Sequence, residues 1–297
     1  MELCLGTVQL GMQYGIQNNK RPSVIESMDI LTEALTRGIR WFDTASAYGE
    51  AERILGQFAE CAPSEAKSMR IVSKLAPDVF QGIPRQRWQD AALKCAKGSL
   101  QRLKKEKLDV FLFHNATHIF DPMAVEALTY VYEMGLTQSI GVSVYTPEEA
   151  MQALKYPQIS SIQIPYNVFD QRLDRCGFFA EAKEKNVHVY ARSSLLQGLA
   201  VMHPENLPSH MRFAVPYLEK FHLICQELSI DPLQAAISYV TGNPNIDQIV
   251  FGVDSKAQLA EYVAMQHNPL PIKSRSVLFD AFANVEEKLV NPSLWKR

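Results

Sequence analysis

Short apolar runs recur along this chain, and six of them end in a side chain that carries charge or hydrogen-bonds strongly. Asp43 follows Arg40-Trp41-Phe42, Lys74 follows Ile71-Val72, His114 follows Phe111-Leu112-Phe113, and later runs end at Ser143, Gln163 and Arg192. Strands covered by helices read as continuous hydrophobic runs rather than as strict alternation. Amphipathic stretches separate the runs from end to end, which is the pattern of repeated βα units. Eight strands are predicted, at residues 3–7, 40–44, 70–74, 110–114, 139–143, 161–165, 188–192 and 248–252. Helix starts are marked by Ser23 ahead of Ile25-Glu26, by Thr146-Pro147-Glu148-Glu149 and by Asp231-Pro232, and Gly38 and Gly135 close two helical stretches.

These elements predict an α/β protein, a (β/α)8 TIM barrel forming a single domain over residues 1–297. The strands of such a barrel all run the same way, so the polar groups at their C-terminal ends face one pocket. The long interval after Arg192 predicts a loop at 202–216 with a lid-like position, then helices at 217–228 and 232–241. A last amphipathic helix at 276–289 is expected to pack outside the barrel, leaving the tail 291–295 over.

Composition narrows the field. At 297 residues and 47% hydrophobic content the chain can bury a large core. The formal net charge is -2 and lysine and arginine are scattered along the sequence, so no nucleic-acid footprint is expected. Five cysteines (Cys4, Cys61, Cys95, Cys176, Cys225) lie far apart without metal-ligand spacing, predicting free, mostly buried thiols and no metal site. No basic leader or long apolar stretch follows Met1, which predicts a cytoplasmic protein with no membrane partner, a monomer or weak homo-oligomer. His118, His188, His203, His210, His222 and His267 show no ligand spacing and receive no role.

Asp43, Tyr48, Lys74 and His114 come from three successive strand ends and form a proton-donating set. Lys74 is flanked by apolar residues, and a buried lysine needs a counter-ion, which Asp43 supplies. A phenol with a reference pKa of about 10 is a poor acid at neutral pH, and a neighbouring ammonium lowers that value. Tyr48 is thus expected to be acidified by Lys74 and to protonate a carbonyl oxygen while His114 donates a second hydrogen bond. None of the four can supply hydride, so a nicotinamide cofactor is implied. No G-x-G-x-x-G follows a strand, which excludes the usual dinucleotide crevice and puts the cofactor across the barrel mouth.

Several segments, in order, resemble the aldo-keto reductases: Leu5-Gly6-Thr7, the run from Gly38 to Ala45 leading into Tyr48-Gly49-Glu50-Ala51-Glu52, Ser99-Leu100-Gln101-Arg102-Leu103, Ile140-Gly141-Val142-Ser143, Gln163 with Tyr166-Asn167, and Leu196-Gln197-Gly198-Leu199. The chain is similar to bacterial-type members of that family. The resemblance implies a catalytic tetrad of Asp43, Tyr48, Lys74 and His114 and NAD(P)H-dependent carbonyl reduction with transfer of the pro-R hydride. It further implies cofactor contacts at Thr7, Ser143, Gln163, Arg192, Ser193, Leu195, Gly198, Gly252, Ser255, Gln258 and Glu261. Ser143 and Gln163 correspond to the residues holding the nicotinamide carboxamide, and Leu195 and Gly198 to the pyrophosphate cradle. Val144 stands where relatives often carry asparagine. Arg192 stands where many stack a tyrosine on nicotinamide; its guanidinium either stacks there, favouring the reduced ring, or turns to a carboxylate or phosphate. Gln258 replaces a common arginine for the 2′-phosphate, with Lys256 as a second source of charge.

NADPH is the expected cofactor, with NADH possible. The expected activity is NAD(P)H-dependent reduction of an aldehyde or ketone, and the similarity of the Gly6 to Gly11 start to bacterial members of sugar metabolism implies a sugar-like one. The alternative is a cofactor-binding regulatory subunit with little turnover. A barrel lyase using Lys74 as a Schiff-base nucleophile leaves Tyr48 unexplained. Tyr14, Trp88, Phe120 and Trp295 are candidates for pocket walls.

Overall fold

The computed structural model describes residues 1–16, 20–266 and 269–295. Eight parallel strands, β1 (Glu2–Gly6), β2 (Trp41–Asp43), β3 (Arg70–Leu75), β4 (Leu108–Phe113), β5 (Thr137–Ser143), β6 (Ser161–Pro165), β7 (His188–Arg192) and β8 (Gln248–Gly252), pair in chain order. The ring closes with β8 on β1, so no strand edge is left open. This is the (β/α)8 barrel expected from the apolar runs.

Successive side chains on a strand point to opposite faces, and that period of two sorts the residues. Inward positions of the lower barrel, Cys4, Val72, Val110, Leu112, Tyr190 and Val250, form one small apolar cluster. Outward positions join the large core shared with the surrounding helices. Adjacent residues therefore face different worlds: Ser73 donates to Glu52 Oε1 on the outer helix Ala51–Cys61 at 2.6 Å, while Lys74 turns inward to Asp43. Glu52 is in turn held by Arg102 of the next helix, at 2.7 Å.

The helix signals read from the sequence have a visible cause. Ser23 accepts from Glu26 N and Glu26 accepts from Ser23 N, a reciprocal pair that satisfies two backbone donors, and Thr146 does the same with Glu149. Asp231 accepts from Leu233 N and Gln234 N. Gly38 and Gly135 take φ of +85° and +75°, where a Cβ is strained.

Four expectations are corrected. Pro216 belongs to the helix Val215–Glu227 rather than to the preceding loop, because a first-turn proline loses no hydrogen bond. The predicted helix at 276–289 is two helices, Ile272–Ala281 and Glu287–Val290. Phe282 turns inward onto Phe169 and Phe221, and Asn284 follows as a turn residue. Of the five thiols only Cys4 and Cys225 are buried; Cys61 is exposed. At the N-terminal end of the barrel Arg40, Lys67, Arg70, Lys105 and Lys107 line a cavity of about 560 Å³ with Glu2 and Asp109. The tail is not left over, since the indole of Trp295 is buried and donates to Lys288 O at 2.8 Å.

The segment after β7 is a chain of short 3-10 turns from Leu196 to Ala214. Leu196, Leu199, Ala200, Leu207, Met211 and Ala214 anchor it in the core, so it forms a packed wall beside the barrel mouth. No helix among the described residues is long and apolar enough to cross a membrane.

Candidate active site

A cavity of about 600 Å³ opens at the C-terminal ends of the strands. Asp43, Tyr48, His114, Ser143, Gln163 and Arg192 line it, as do Ser193, Leu195, Gly198, Gly252, Gln258 and Glu261. Three other candidates sit apart from the lining. Lys74 lies fully buried beneath it, Thr7 is buried and donates from N and Oγ1 to Asp43 O, and Ser255 accepts from Gln258 N at 3.3 Å as a helix cap. Of the proposed walls only Tyr14 lines the cavity; Trp88 stacks on Phe80 and donates to Ile83 O instead.

The polar floor is tightly paired. Lys74 Nζ lies 2.7 Å from both carboxylate oxygens of Asp43 and 2.9 Å from Thr44 O, which uses all three ammonium donors. Gln163 Nε2 donates to Asp43 Oδ2 at 2.8 Å, and Ser143 Oγ donates to Gln163 Oε1 at 3.0 Å. With Asp43 3% exposed and Lys74 0%, the charges compensate each other where neither could be solvated.

Above this floor stands Tyr48. Its ring centroid is 4.9 Å from Lys74 Nζ and 5.5 Å from the His114 ring, which it meets edge-on. The Tyr48 phenol is pushed well up from its ordinary value, first by burial and then by the Asp43 carboxylate; Arg192 pulls it down and Tyr145 adds to the rise. The expectation that Lys74 acidifies this phenol is therefore corrected. Asp43 cancels most of the ammonium's field, and Tyr48 stays protonated across the neutral range. His114 is pushed down from 6.5 to about 3 by burial and then by Lys74 and Arg192, so its imidazole is neutral.

Arg192 is held from two sides within the protein. Its Nη2 donates to Val144 O at 2.8 Å, its Nη1 donates to Ser193 Oγ at 3.2 Å, and its guanidinium lies 4.4 Å from the Tyr145 ring centroid. Val144 thus offers a carbonyl anchor where relatives offer a side-chain amide. Tyr145 is itself fixed, its N–H on Glu149 and its carbonyl accepting from Arg172, which Asp170 holds. Asn167 joins neighbouring loops: Oδ1 accepts from Phe169 N and Asp170 N, and Nδ2 donates to Ser193 O at 3.1 Å, where Ser193 has φ of +64°.

Sequence reasoning missed Gln9, Tyr145, His203 and Asn206, all of which line the cavity. Gln9 rests on Gly252, where a Cβ would overlap its carboxamide. No spacing signal marks these four, although Gln9 lies inside a quoted motif and only its role was overlooked. His267 falls outside the described residues.

The arrangement suits an elongated polar ligand. Gln9 Oε1, Gln197 Oε1 and His114 Nδ1 are buried atoms of lining residues with no partner, a state that costs free energy unless a ligand or water satisfies them. The left-handed run Leu196, Gln197 and Gly198, with φ of +48°, +57° and +90°, turns the backbone along the same wall. These features fit a dinucleotide.

Together, barrel and strand-end site define an enzyme of the class that works at the mouth of a (β/α)8 scaffold. Residues 2–278 match the Aldo/keto reductase family, and the chain belongs to it. It is therefore an oxidoreductase. Relatives include the uncharacterized oxidoreductase YqkF of Bacillus subtilis, 24% identical over 88% of this chain and 87% of that protein. The chloroplastic pyridoxal reductase of Arabidopsis thaliana is 24% identical over 65% of this chain and 56% of its own length. The solved structure of PA4992 from Pseudomonas aeruginosa shares the fold, with a TM-score of 0.66 and 22% identity over 89% of this chain and 88% of that one.

Proposed function

We propose that this protein reduces an aldehyde or ketone to an alcohol using a nicotinamide dinucleotide, with Tyr48 as the general acid. The observation that carries the reading is a protonated phenol whose ring centroid is 4.9 Å from the buried Lys74 ammonium and edge-on to a neutral imidazole, lining a cavity of about 600 Å³. A bound reduced nicotinamide supplies the hydride. Ser143 and Gln163, already bonded to each other, would hold the carboxamide; Ser193, Leu195 and Gly198 would follow the pyrophosphate, and Gly252, Gln258 and Glu261 the adenosine end.

The raised phenol is an asset in this chemistry. It arrives carrying its proton, and a carbonyl oxygen gaining negative charge becomes a stronger base than phenolate, so the proton moves downhill from Tyr48 Oη. Arg192, the cation that lowers this phenol's pKa, favours the phenolate left behind, while the Lys74–Asp43 pair fixes the floor beneath the ring. His114, neutral at all physiological pH, can donate to the substrate oxygen without competing as an acid. Gln9, Tyr14, Tyr145, His203 and Asn206 offer hydrogen bonds along the cavity, which favours a hydroxylated, sugar-like carbonyl compound.

Tyr48→Phe tests the reading. The rate of carbonyl reduction is expected to fall about 10²- to 10⁴-fold with dinucleotide affinity unchanged. A slight fall would remove Tyr48 as the acid. A tight dinucleotide complex that never turns over across an aldehyde panel would instead favour the regulatory, binding role.

A further inference from the structure

The opposite end of the barrel carries a concentration of charge that the reaction does not use. The cavity of about 560 Å³ there shares no lining residue with the active-site cavity. The small apolar cluster inside the barrel separates them: Val250 lines the upper cavity, and Trp41, packed against the same cluster, lines the lower one. Arg40 precedes β2, Lys67 and Arg70 stand at the start of β3, and Lys105 and Lys107 precede β4, so three strand starts bring five cations to one space. Glu2 and Asp109 are the carboxylates of that lining, which therefore carries +3, five cations minus two carboxylates. Both carboxylates are held by neutral donors. Glu2 Oε2 accepts from Trp41 Nε1 at 2.9 Å and from Gln248 Nε2 at 3.2 Å, and Asp109 accepts from Ile71 N at 2.8 Å and from Gln138 Nε2 at 3.4 Å. Among the described residues, no ion pair includes any of the five cations. Lys105 Nζ donates to Met69 O at 2.8 Å and to Ala66 O at 3.3 Å, Arg40 Nη1 donates to Leu35 O and Ile39 O, and the Arg70 guanidinium lies 5.3 Å from the Trp41 ring centroid. These contacts fix the positions of the charges and neutralise none of them.

We propose that this cavity is a second ligand site, which binds the diphosphate or triphosphate group of a small metabolite at the end of the barrel remote from the reaction. Like charges gathered in a space of small-molecule size repel one another, and a compact multivalent anion removes that cost. Two phosphate groups together carry about three to four negative charges, which matches the surplus of the lining. Their oxygens accept from guanidinium forks and from ammonium groups alike. Outside the cavity the chain carries a net charge of -5, its total of -2 less the +3 of the lining, and that field repels a long polyanion while a short one fits within the walls. Nothing in this site depends on the proposed function.

Calorimetric titration of the full-length protein with sodium pyrophosphate at constant ionic strength tests the site, with sulfate, citrate and a single-stranded oligonucleotide as comparison anions. Pyrophosphate is expected to bind about tenfold or more tighter than sulfate or citrate, and to raise Tm as it saturates. The double variant Lys67→Glu, Lys107→Glu, which alters two exposed side chains, should weaken pyrophosphate about tenfold or more. Lys94→Glu with Lys97→Glu changes the net charge equally on the outer helix Trp88–Leu103 and should leave the affinity unchanged. Circular dichroism confirms that each variant folds. No binding at about 1 mM pyrophosphate overturns the proposal. Binding that survives Lys67→Glu, Lys107→Glu puts the anion elsewhere, the active-site cavity included, and overturns the assignment to this cavity. Sulfate binding as tightly as pyrophosphate reduces the effect to general charge attraction, tighter citrate removes the phosphate class, and an oligonucleotide that pyrophosphate cannot displace gives the surface to nucleic acid; each of these overturns the proposal.

Discussion

The two ends of the cavity are built by different means. At the Tyr48 end, Asp43, Lys74, Ser143 and Gln163 sit on strands whose register places them, and nearly every polar atom is taken by another side chain within 3.0 Å. At the far end, Asp254, Ser255 and Gln258 sit on a turn and a helix start, partly or fully exposed, and their hydrogen bonds serve the local backbone. The first end is rigid because a barrel fixes strand positions and burial excludes water, so each pair must be satisfied from within. The second end is specified by a few solvated side chains, whose replacement costs little stability.

The largest expected effect comes from breaking the rigid end. Lys74→Met leaves the Asp43 carboxylate buried and unpaired, which should cost about 3–5 kcal/mol of unfolding free energy. Urea titration measures this, and a loss below about 1 kcal/mol would show that the pair does not hold the floor together. Removal of the Glu261 carboxylate, by contrast, should leave the urea midpoint unchanged, since surface positions of this kind seldom matter to stability.

His114 sharpens the same contrast through pH. Its folded value, about 3, lies below the ordinary 6.5, so the unfolded chain binds more protons between those limits. Its stability contribution is complete above pH 6.5 and declines as pH falls toward 3. Between pH 7 and pH 5 this amounts to a loss of about 2 kcal/mol. His114→Gln should flatten that part of the stability profile, and a slope that survives the substitution would point to other groups.

Arg192 gives the smallest effect, at the junction of the two regions. If the oxidised, cationic ring lies near the guanidinium, their repulsion at contact is at least about 1 kcal/mol even in water-like surroundings, or roughly fivefold in affinity. Arg192→Ala should narrow the gap between reduced and oxidised cofactor by that factor in fluorescence and calorimetric titrations. Equal losses for both forms would remove the charge argument.

The same contrast explains what was legible in the sequence. The ends of β6, β7 and β8 agree with the apolar runs residue for residue, and the other strands agree within two residues, because buried parallel strands leave a continuous hydrophobic signature. Their place at the C-terminal ends of those runs also marked Asp43, Lys74, His114, Ser143, Gln163 and Arg192 as facing the barrel mouth. The conformation of the loops was not legible. Nothing in Arg192-Ser193-Ser194 announces that the guanidinium lies on Tyr145, and Gln9 meets Gly252 across 243 residues of chain. Electrostatic balance was also hidden: Lys74 next to Tyr48 suggested an acidified phenol, but bidentate pairing with Asp43 neutralises that influence.

The back-to-back placement of Ser73 and Lys74 has a consequence for how such a molecule can change over generations. A single inserted or deleted residue in β3 would exchange them, sending an ammonium into the helical coat and a hydroxyl into the reaction chamber, so both attachments would be lost in one event. That strand can vary only by replacement in place, whereas the turn at Asp254 is free to drift. The capacity for proton transfer is thus inherited as a block, and the choice of partner molecule remains open to revision.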